Sequence, residues 1–409
     1  MNTLSQPILR HEIEQELSGN ILPFWMNHTV DRVNGGFYGA VTNDLVIHNE
    51  IPRSSTLCAR ILWVYSTAYR RFGLSEYWVI AQWAYDYLTR VFWDHEEGGV
   101  YWEVDCKGHP VADRKHHYAQ AFAIYGLAEY YRATQEPKCL RLVRELFHYL
   151  EKHARDPIHE GYTEGSSRTW GPLLDMRLSD KDLNCQKSVN THLHILEAYT
   201  DLLRVWDDTE LKARHRALIE TFLEHILDRN SGHLKLFFDD PWHSLSETVS
   251  FGHDIECSWL LVEAAEMQGD AELLSQVRQS AVLMADAVYK EGRDADGSVF
   301  YEADPRGLTD TSKSWWAQAE AVVGFHNAYQ ISNQKHFAQA ASQCWAYIQT
   351  HMVDRVHGDW FKQLTRDGVP DNTRYKVGPW DCPYHHSRAC FEMLTRLEFD
   401  QQKLVRRKS

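Results

Sequence analysis

The segment VSFGHDIECSW places His253 and Glu256 three residues apart, just after Gly252 and just before an apolar run. One helical turn would carry both side chains on one face. Such a pair can bind a metal, move protons, or simply begin a helix with polar residues. As a zinc pair it supplies two ligands, and no HExxH motif or third ligand stands at a usual spacing. VGPWDCPYHHSRACF carries Trp380, His385, His386 and Arg388, with Pro379 and Pro383 fixing an extended approach and a helix start. Its two histidines either face solvent or join the same site. In VNTHLHILEAY, Asn190 and His194 are four apart and project together, with His192 on another face. They read either as satisfied core groups or as a binding pair. Arg60 shares a helical face with Leu57, Trp63 and Val64. Buried there, its guanidinium needs a carboxylate or a ligand; at a helix end it would reach solvent. Trp315 and Trp316 head another helical stretch, with Glu320 one turn on, and fit a core stripe or an aromatic wall. Histidine titrates near neutral pH, so these clusters suit proton transfer.

The elements that must position these residues follow a repeat. An aspartate, a few polar residues, a glycine and an aromatic or aliphatic run recur around Gly35, Gly98, Gly161, Gly232, Gly297 and Gly358, at spacings between 61 and 71 residues. Between copies lie segments with apolar residues at i, i+3, i+4 and i+7, such as ARILWVYSTAYRRF and YAQAFAIYGLAEYYRAT. Each is followed by a second helical segment, such as YWVIAQWAYDYLTRVFW. Each unit therefore predicts two helices and a short extended hairpin at the glycine. Six helix pairs close into an all-α ring, an (α/α)6 barrel, whose inner helices are apolar nearly all round. An open solenoid is the alternative, but no polar capping repeat is visible. No Pro- or Gly-rich linker divides the chain, which predicts one domain over residues 1–409.

Composition excludes several classes. Lys and Arg total 43 against 57 Asp and Glu, a net charge of −14. Only the tail KLVRRKS is basic, and it is expected to fray. A nucleic-acid partner is not expected, because phosphate binding needs a basic face. No apolar run of about 18 residues suggests a membrane span. The first residues, MNTLSQPILRHEIEQEL, do not read as a signal peptide. The eight cysteines show no CxxC and are expected to be reduced and mostly buried. A cytoplasmic location is expected on these grounds. No GxGxxG, P-loop or GxSxG appears, so nucleotide cofactors and serine-hydrolase chemistry have no visible support. The 15 Trp, 20 Tyr and 16 Phe suit stacking on sugars as well as core filling.

Taken together, the blocks ARILW, RKHHYAQAFAIYG, NTHLHILEAYT, FGHDIECSWLL, WWAQAEAVVGFHNAYQ and GPWDCPYHHSRAC resemble the cellobiose 2-epimerases of the N-acylglucosamine 2-epimerase superfamily. The similarity runs in order over nearly the whole chain. It implies an (α/α)6 barrel, no cofactor and no metal. It also implies an isomerase that interconverts reducing-end glucose and mannose in β-1,4-linked disaccharides such as cellobiose, lactose or mannobiose. A monomer or a homodimer is equally compatible with the sequence.

Inverting C2 of an aldose requires ring opening, removal of the C2 proton to an enediolate, and return of a proton on the other face. The resemblance implies His385 and His253 as the two acid/base groups, His194 as the ring-opening residue, and Arg60 as the cation holding the enediolate oxygens. Glu256 is expected to orient its neighbour His253. Tyr118 and Asn190 correspond to sugar-binding positions, Trp316 and Trp380 to aromatic walls, and Ser179 and Asp182 to more peripheral substrate contacts. The chain departs from many relatives at His386, where they carry Asn. The length of FFDDPWHSLSETVSFGHD resembles disaccharide-specific members. Epimerisation of free mannose or N-acetylglucosamine is the nearest alternative. A glycoside hydrolase using Glu256 and Glu320 as its two carboxylates, and a non-catalytic sugar-binding barrel, are more distant ones.

Overall fold

The computed structural model describes residues 6–406, with side chains from 8 to 402. The first five residues and residues 407–409 of the basic tail, expected to fray, lie outside the described residues, while the tail's backbone up to Arg406 continues the last helix. The helices are α1 Gln6–Glu16, α2 Leu22–His28, α3 Ser55–Phe72, α4 Ser75–Tyr87, α5 His117–Thr134, α6 Pro137–His153 and α7 Val189–Leu203. They continue as α8 Thr209–Thr221, α9 Phe251–Gln268, α10 Ala271–Ala287, α11 Trp315–Ser332, α12 Lys335–Tyr347 and α13 Tyr384–Arg406. The odd-numbered helices from α3 to α13 pack side by side in sequence, and α13 returns to α3, so the ring is closed. The (α/α)6 barrel is therefore the fold. Helices α4, α6, α8, α10 and α12 pack outside their preceding inner helices. The sixth outer helix is α1, which packs on α13, so the last pair is made from the two ends of the chain.

The inner helices are apolar on almost every face because they touch neighbours all round. In α5, every residue from His117 to Tyr130 is buried. All eight cysteines are unpaired, and all but Cys106 are buried. Among the described residues no helix is long and apolar enough to cross a membrane.

The glycine motif is a hairpin that hands the chain from an outer helix to the next inner one. In every copy a bridge joins the residue before the aspartate to a residue just after the glycine: Val30 to Phe37, Trp93 to Val100, Arg155 to Tyr162, Leu227 to Leu234, Arg293 to Val299 and Val353 to Trp360. All six glycines have positive φ, a region that costs a side-chain-bearing residue. Asp31, Asp94, Asp156 and Asp354 each accept backbone N–H groups two and three residues on. Their second partner is a buried cation ahead of an inner helix, from a strand in every case but Lys376. Lys115 reaches Asp94 at 2.9 Å, Lys187 reaches Asp156 at 2.8 Å and Lys313 reaches Asp294 at 2.9 Å. Arg53 pairs with Asp31 and Lys376 with Asp354. The fourth copy lacks the cation, since Val249 stands at its place, and instead ties His233 to Asp254 at 2.7 Å. Removing one partner of such a pair strands a buried charge, at a cost of about 3–5 kcal/mol.

The fourth residue of four inner helices locks the same hairpin. Gln120 accepts from Val100 N–H and donates to its carbonyl, both at 2.8 Å, and Gln318 does the same for Val299. Asp254 accepts from Leu234 N–H at 2.8 Å. His192 occupies the equivalent place. Its Nε2 accepts from Tyr162 N–H at 2.8 Å while Nδ1–H donates to the Ser188 carbonyl at 2.7 Å. Burial holds its pKa down to about 4. The unfolded chain protonates this group at its ordinary value of 6.5, so the unfolded state binds more protons as pH falls through that window, and stability is lost. His192→Gln should keep the lock, as Gln120 and Gln318 do, without the titration. The melting temperature of the variant should gain on the parent as pH drops from 7.5 to 5. A gap that is the same at both pH values would refute this.

Candidate active site

The N-terminal ends of the six inner helices converge on one end of the barrel. Each helix presents its second and sixth residues there, one turn apart. These are Thr56 and Arg60, Tyr118 and Phe122, Asn190 and His194, Gly252 and Glu256, and Trp316 and Glu320; α13 supplies His385 as its second residue. The backbone N–H ends of helices carry partial positive charge, so this end of the barrel favours an anion.

Arg60 is 2% exposed and forms no ion pair with any described carboxylate. It donates to the Tyr118 hydroxyl at 2.5 Å and to Cys382 Sγ at 3.5 Å, and its guanidinium lies 4.2 Å from the Phe122 ring centre. Its Nε has no acceptor. A buried cation with no carboxylate in contact is costly, and the buried Asp381 acts on it only through space.

His385 packs 5.5 Å from the Trp316 indole, and His253 packs 4.9 Å from it, measured between ring centres. His385 Nδ1 lies 2.8 Å from Glu320 Oε1. A carboxylate only accepts, so Nδ1 carries the proton and Nε2 keeps its lone pair. His253 Nδ1 lies 2.8 Å from the Ser250 hydroxyl, which can donate or accept and so serves either tautomer. Burial, then His194, pushes His253 down to about 3. Burial, then Arg60 and Arg388, pushes His385 well below its usual value. Both rings are neutral at neutral pH.

Beneath them Arg388 joins three buried carboxylates. It donates to Glu320 at 2.6 Å and also to Glu197 and Glu256. Glu197 in turn holds His194 Nδ1 at 3.0 Å and accepts from the Tyr384 hydroxyl. Trp259 Nε1–H donates to Glu320 at 2.9 Å. Burial opposes ionisation of Glu197, yet Arg388 and His194 hold it down to about 2. Burial and the neighbouring Glu320 push Glu256 up to about 7. Glu256, Glu320 and His385 have donor atoms within 4.8 Å of one another, a set that could hold a metal. The Arg388 guanidinium already engages both carboxylates, so a cation is in place without one.

The expected pairing of Glu256 with His253 does not form. Glu256 points one turn deeper, to Arg388, and lies 3.7 Å from His385 Nδ1, while His253 at the rim uses Ser250. The histidine–glutamate pair three residues apart that does form is His194 with Glu197. That spacing is visible in HILE, but Glu197, Tyr384 and the central place of Arg388 were missed from the sequence. His386 faces away from the cavity and bonds Asp359 at 2.7 Å, beside Lys362 and Trp25. Trp380 packs edge-on against Tyr118 at 6.0 Å. Asn190 has no hydrogen-bond partner among the described residues and lines, with His253, a small cavity of 40 Å³. The loop carrying Met176, Leu178 and Asp182 roofs it. On that loop Ser179 donates to Asp182 through both N–H and Oγ, at 2.8 and 2.7 Å, so these two residues hold each other.

The family described as N-acylglucosamine 2-epimerase (GlcNAc 2-epimerase) matches residues 36–389. A cellobiose 2-epimerase of Bacteroides fragilis is 45% identical over 388 residues, covering 95% of this chain and 99% of the relative. One from Dictyoglomus turgidum is 37% identical over 391 residues, covering 95% and 99%. The solved structure of cellobiose 2-epimerase from Bacillus thermoamylovorans superposes with a TM-score of 0.91 at 39% identity, covering 95% of this chain and all of that one.

Proposed function

Because the chain belongs to the N-acylglucosamine 2-epimerase family, we propose that it is a disaccharide 2-epimerase acting on the reducing-end glucose or mannose of β-1,4-linked disaccharides such as cellobiose. The observation that carries the chemistry is Arg60, a buried guanidinium lacking a carboxylate beside two neutral histidines. An enediolate supplies the missing negative charge, and charge that appears only during reaction is what such a site stabilises best.

In this reading His194, oriented by Glu197, relays a proton from the anomeric hydroxyl to the ring oxygen and so opens the sugar. One of His385 and His253 removes the C2 proton through its free Nε2, giving the enediolate. Arg60 and the Tyr118 hydroxyl hold its oxygens, and the convergent helix ends add to the field. The second histidine, neutral at rest, takes a proton from water as the anion forms and delivers it to the opposite face, while the first returns its proton to solvent. Trp316 and Trp380 wall the sugar, Asn190 contacts its hydroxyls, and Ser179 and Asp182 border the outer ring from the loop. Glu256, through Arg388, fixes the floor under His385.

Gly252 allows Trp316 to lie where it does. A Cβ at residue 252 would come within 2.3 Å of the indole. Gly252→Ala should therefore push the indole aside and raise KM about tenfold, equivalent to about 1.4 kcal/mol of binding. An unchanged KM would remove Trp316 from the sugar wall.

A proton NMR time course in D2O tests the proposal, with cellobiose in one tube and free mannose in another. Glucosyl-mannose deuterated at C2 is the expected product. Reaction of mannose alone would make this a monosaccharide epimerase. Release of glucose from cellobiose would make it a hydrolase, and silence in both tubes would leave a binding barrel.

A further inference from the structure

A second cavity of 350 Å³ opens among the C-terminal halves of the inner helices, at the opposite end of the barrel from His253. Small-molecule sites begin at about this size, roughly 300 Å³. Arg388 and Glu197 form its floor, so it is separated from the catalytic cavity by one layer of side chains.

Its wall alternates in charge. Arg70 and Arg132 bond Glu129 at 2.7 and 2.6 Å, Arg204 bonds Asp201 at 2.9 Å, and Arg204 also bonds Glu263. Each cation faces an acid, so the wall has no sign of its own. A metal ion would have to displace guanidinium groups from the carboxylates, and an anion would meet as much repulsion as attraction. A neutral ligand with many hydroxyls meets acceptors and donors at every turn. Arg388 Nε has no acceptor, and one hydroxyl open to the cavity bonds no described residue. Tyr125 is 5% exposed, stacks on Trp63 with ring centres 5.0 Å apart, and its hydroxyl bonds no described residue. Trp63 is itself fixed, its indole N–H donating to Asp201 at 3.1 Å. A buried phenol normally satisfies its hydroxyl. This one lines the cavity.

We propose that this far cavity is a second, non-catalytic binding site for a neutral polyol of monosaccharide size, held by the Tyr125 hydroxyl and the Arg204–Glu263 pair. Because Arg388 is shared, occupancy there touches the same guanidinium that supports the catalytic carboxylates.

Calorimetric titration with D-mannose tests this on the full chain, using four single variants. The parent should show saturable uptake that survives Trp316→Ala and Asn190→Ala at the catalytic end. Tyr125→Phe and Glu263→Gln should weaken it at least tenfold while turning over the parent's substrate within twofold of the parent. Turnover is read independently, so loss of the far site and failure of the epimerase proposal are distinguishable. The proposal is overturned if the parent shows no saturable uptake, or if the sugar binds Tyr125→Phe and Glu263→Gln as tightly as the parent. It is equally overturned if only the catalytic-end variants lose binding.

Discussion

Replacing His385 with asparagine is expected to lower kcat for cellobiose epimerisation by about 10²–10⁴-fold, the usual worth of a positioned acid/base group. His253→Asn should cost a similar factor. The fold should survive both. Glu320 keeps Arg388 and Trp259 as donors when His385 is lost, and Ser250 lies at the barrel's rim beside His253. The sharper reading is isotopic. Each histidine serves one face of C2, so each variant should still exchange the C2 hydrogen of one epimer with D2O while failing to convert it. Loss of His385 and loss of His253 should spare opposite epimers. Near-parental turnover by either variant removes that residue from the mechanism. Loss of exchange for both epimers in one variant, with exchange of both kept in the other, would replace two bases by one.

Arg388→Met carries the largest expected cost in stability. It leaves Glu197, Glu256 and Glu320 together, buried and uncompensated, at about 3–5 kcal/mol by the precedent for breaking buried ion pairs. Urea unfolding at neutral pH should show that loss. The sign of its pH dependence is fixed. Without Arg388 these carboxyls bind protons more readily in the folded chain than in the unfolded one, so the deficit should shrink as pH falls toward 5. Arg388→Lys should recover part of the stability but little activity, since a point charge cannot fork to three carboxylates. A midpoint unchanged by Arg388→Met would mean the cluster holds no net charge to compensate.

The six-fold repeat was legible because glycine, aspartate and apolar periodicity all return at a near-constant interval. The inner helices were legible because burial on all sides leaves few polar residues to confuse the pattern. Arg60, His194, His253 and His385 stood out as polar breaks in those runs. Glu197 did not, and Arg388 was visible without its role, because a charge whose partners lie 191 and 132 residues away, at Glu197 and Glu256, leaves no local mark of what it binds. Glu256 was assigned to its neighbour His253 for the same reason, since spacing describes one helix and the true partner comes from another. The buried lysines before α5, α7 and α11 do leave a mark, a basic residue two positions ahead of each helix. It went unread because exposed lysine is the ordinary case. The pairing of α1 with α13 has no sequence pattern at all; it follows only from closing the ring.

That closing pair sets an order of events during synthesis. Helix α1 is made long before its partner α13, and His385 and Arg388 emerge only after the other inner helices. A chain still attached to the ribosome holds Glu197, Glu256 and Glu320 with no guanidinium to balance them, so five-sixths of a ring gains little by compacting its centre. Folding of the core is thus tied to synthesis of α13. It also brings α1 and α13 side by side, so a short linker joining the ends, with new ends opened at an exposed hairpin tip such as Val33 or Ile158, should give a circularly permuted barrel in which α13 is made early and the carboxylates meet their cation from the start.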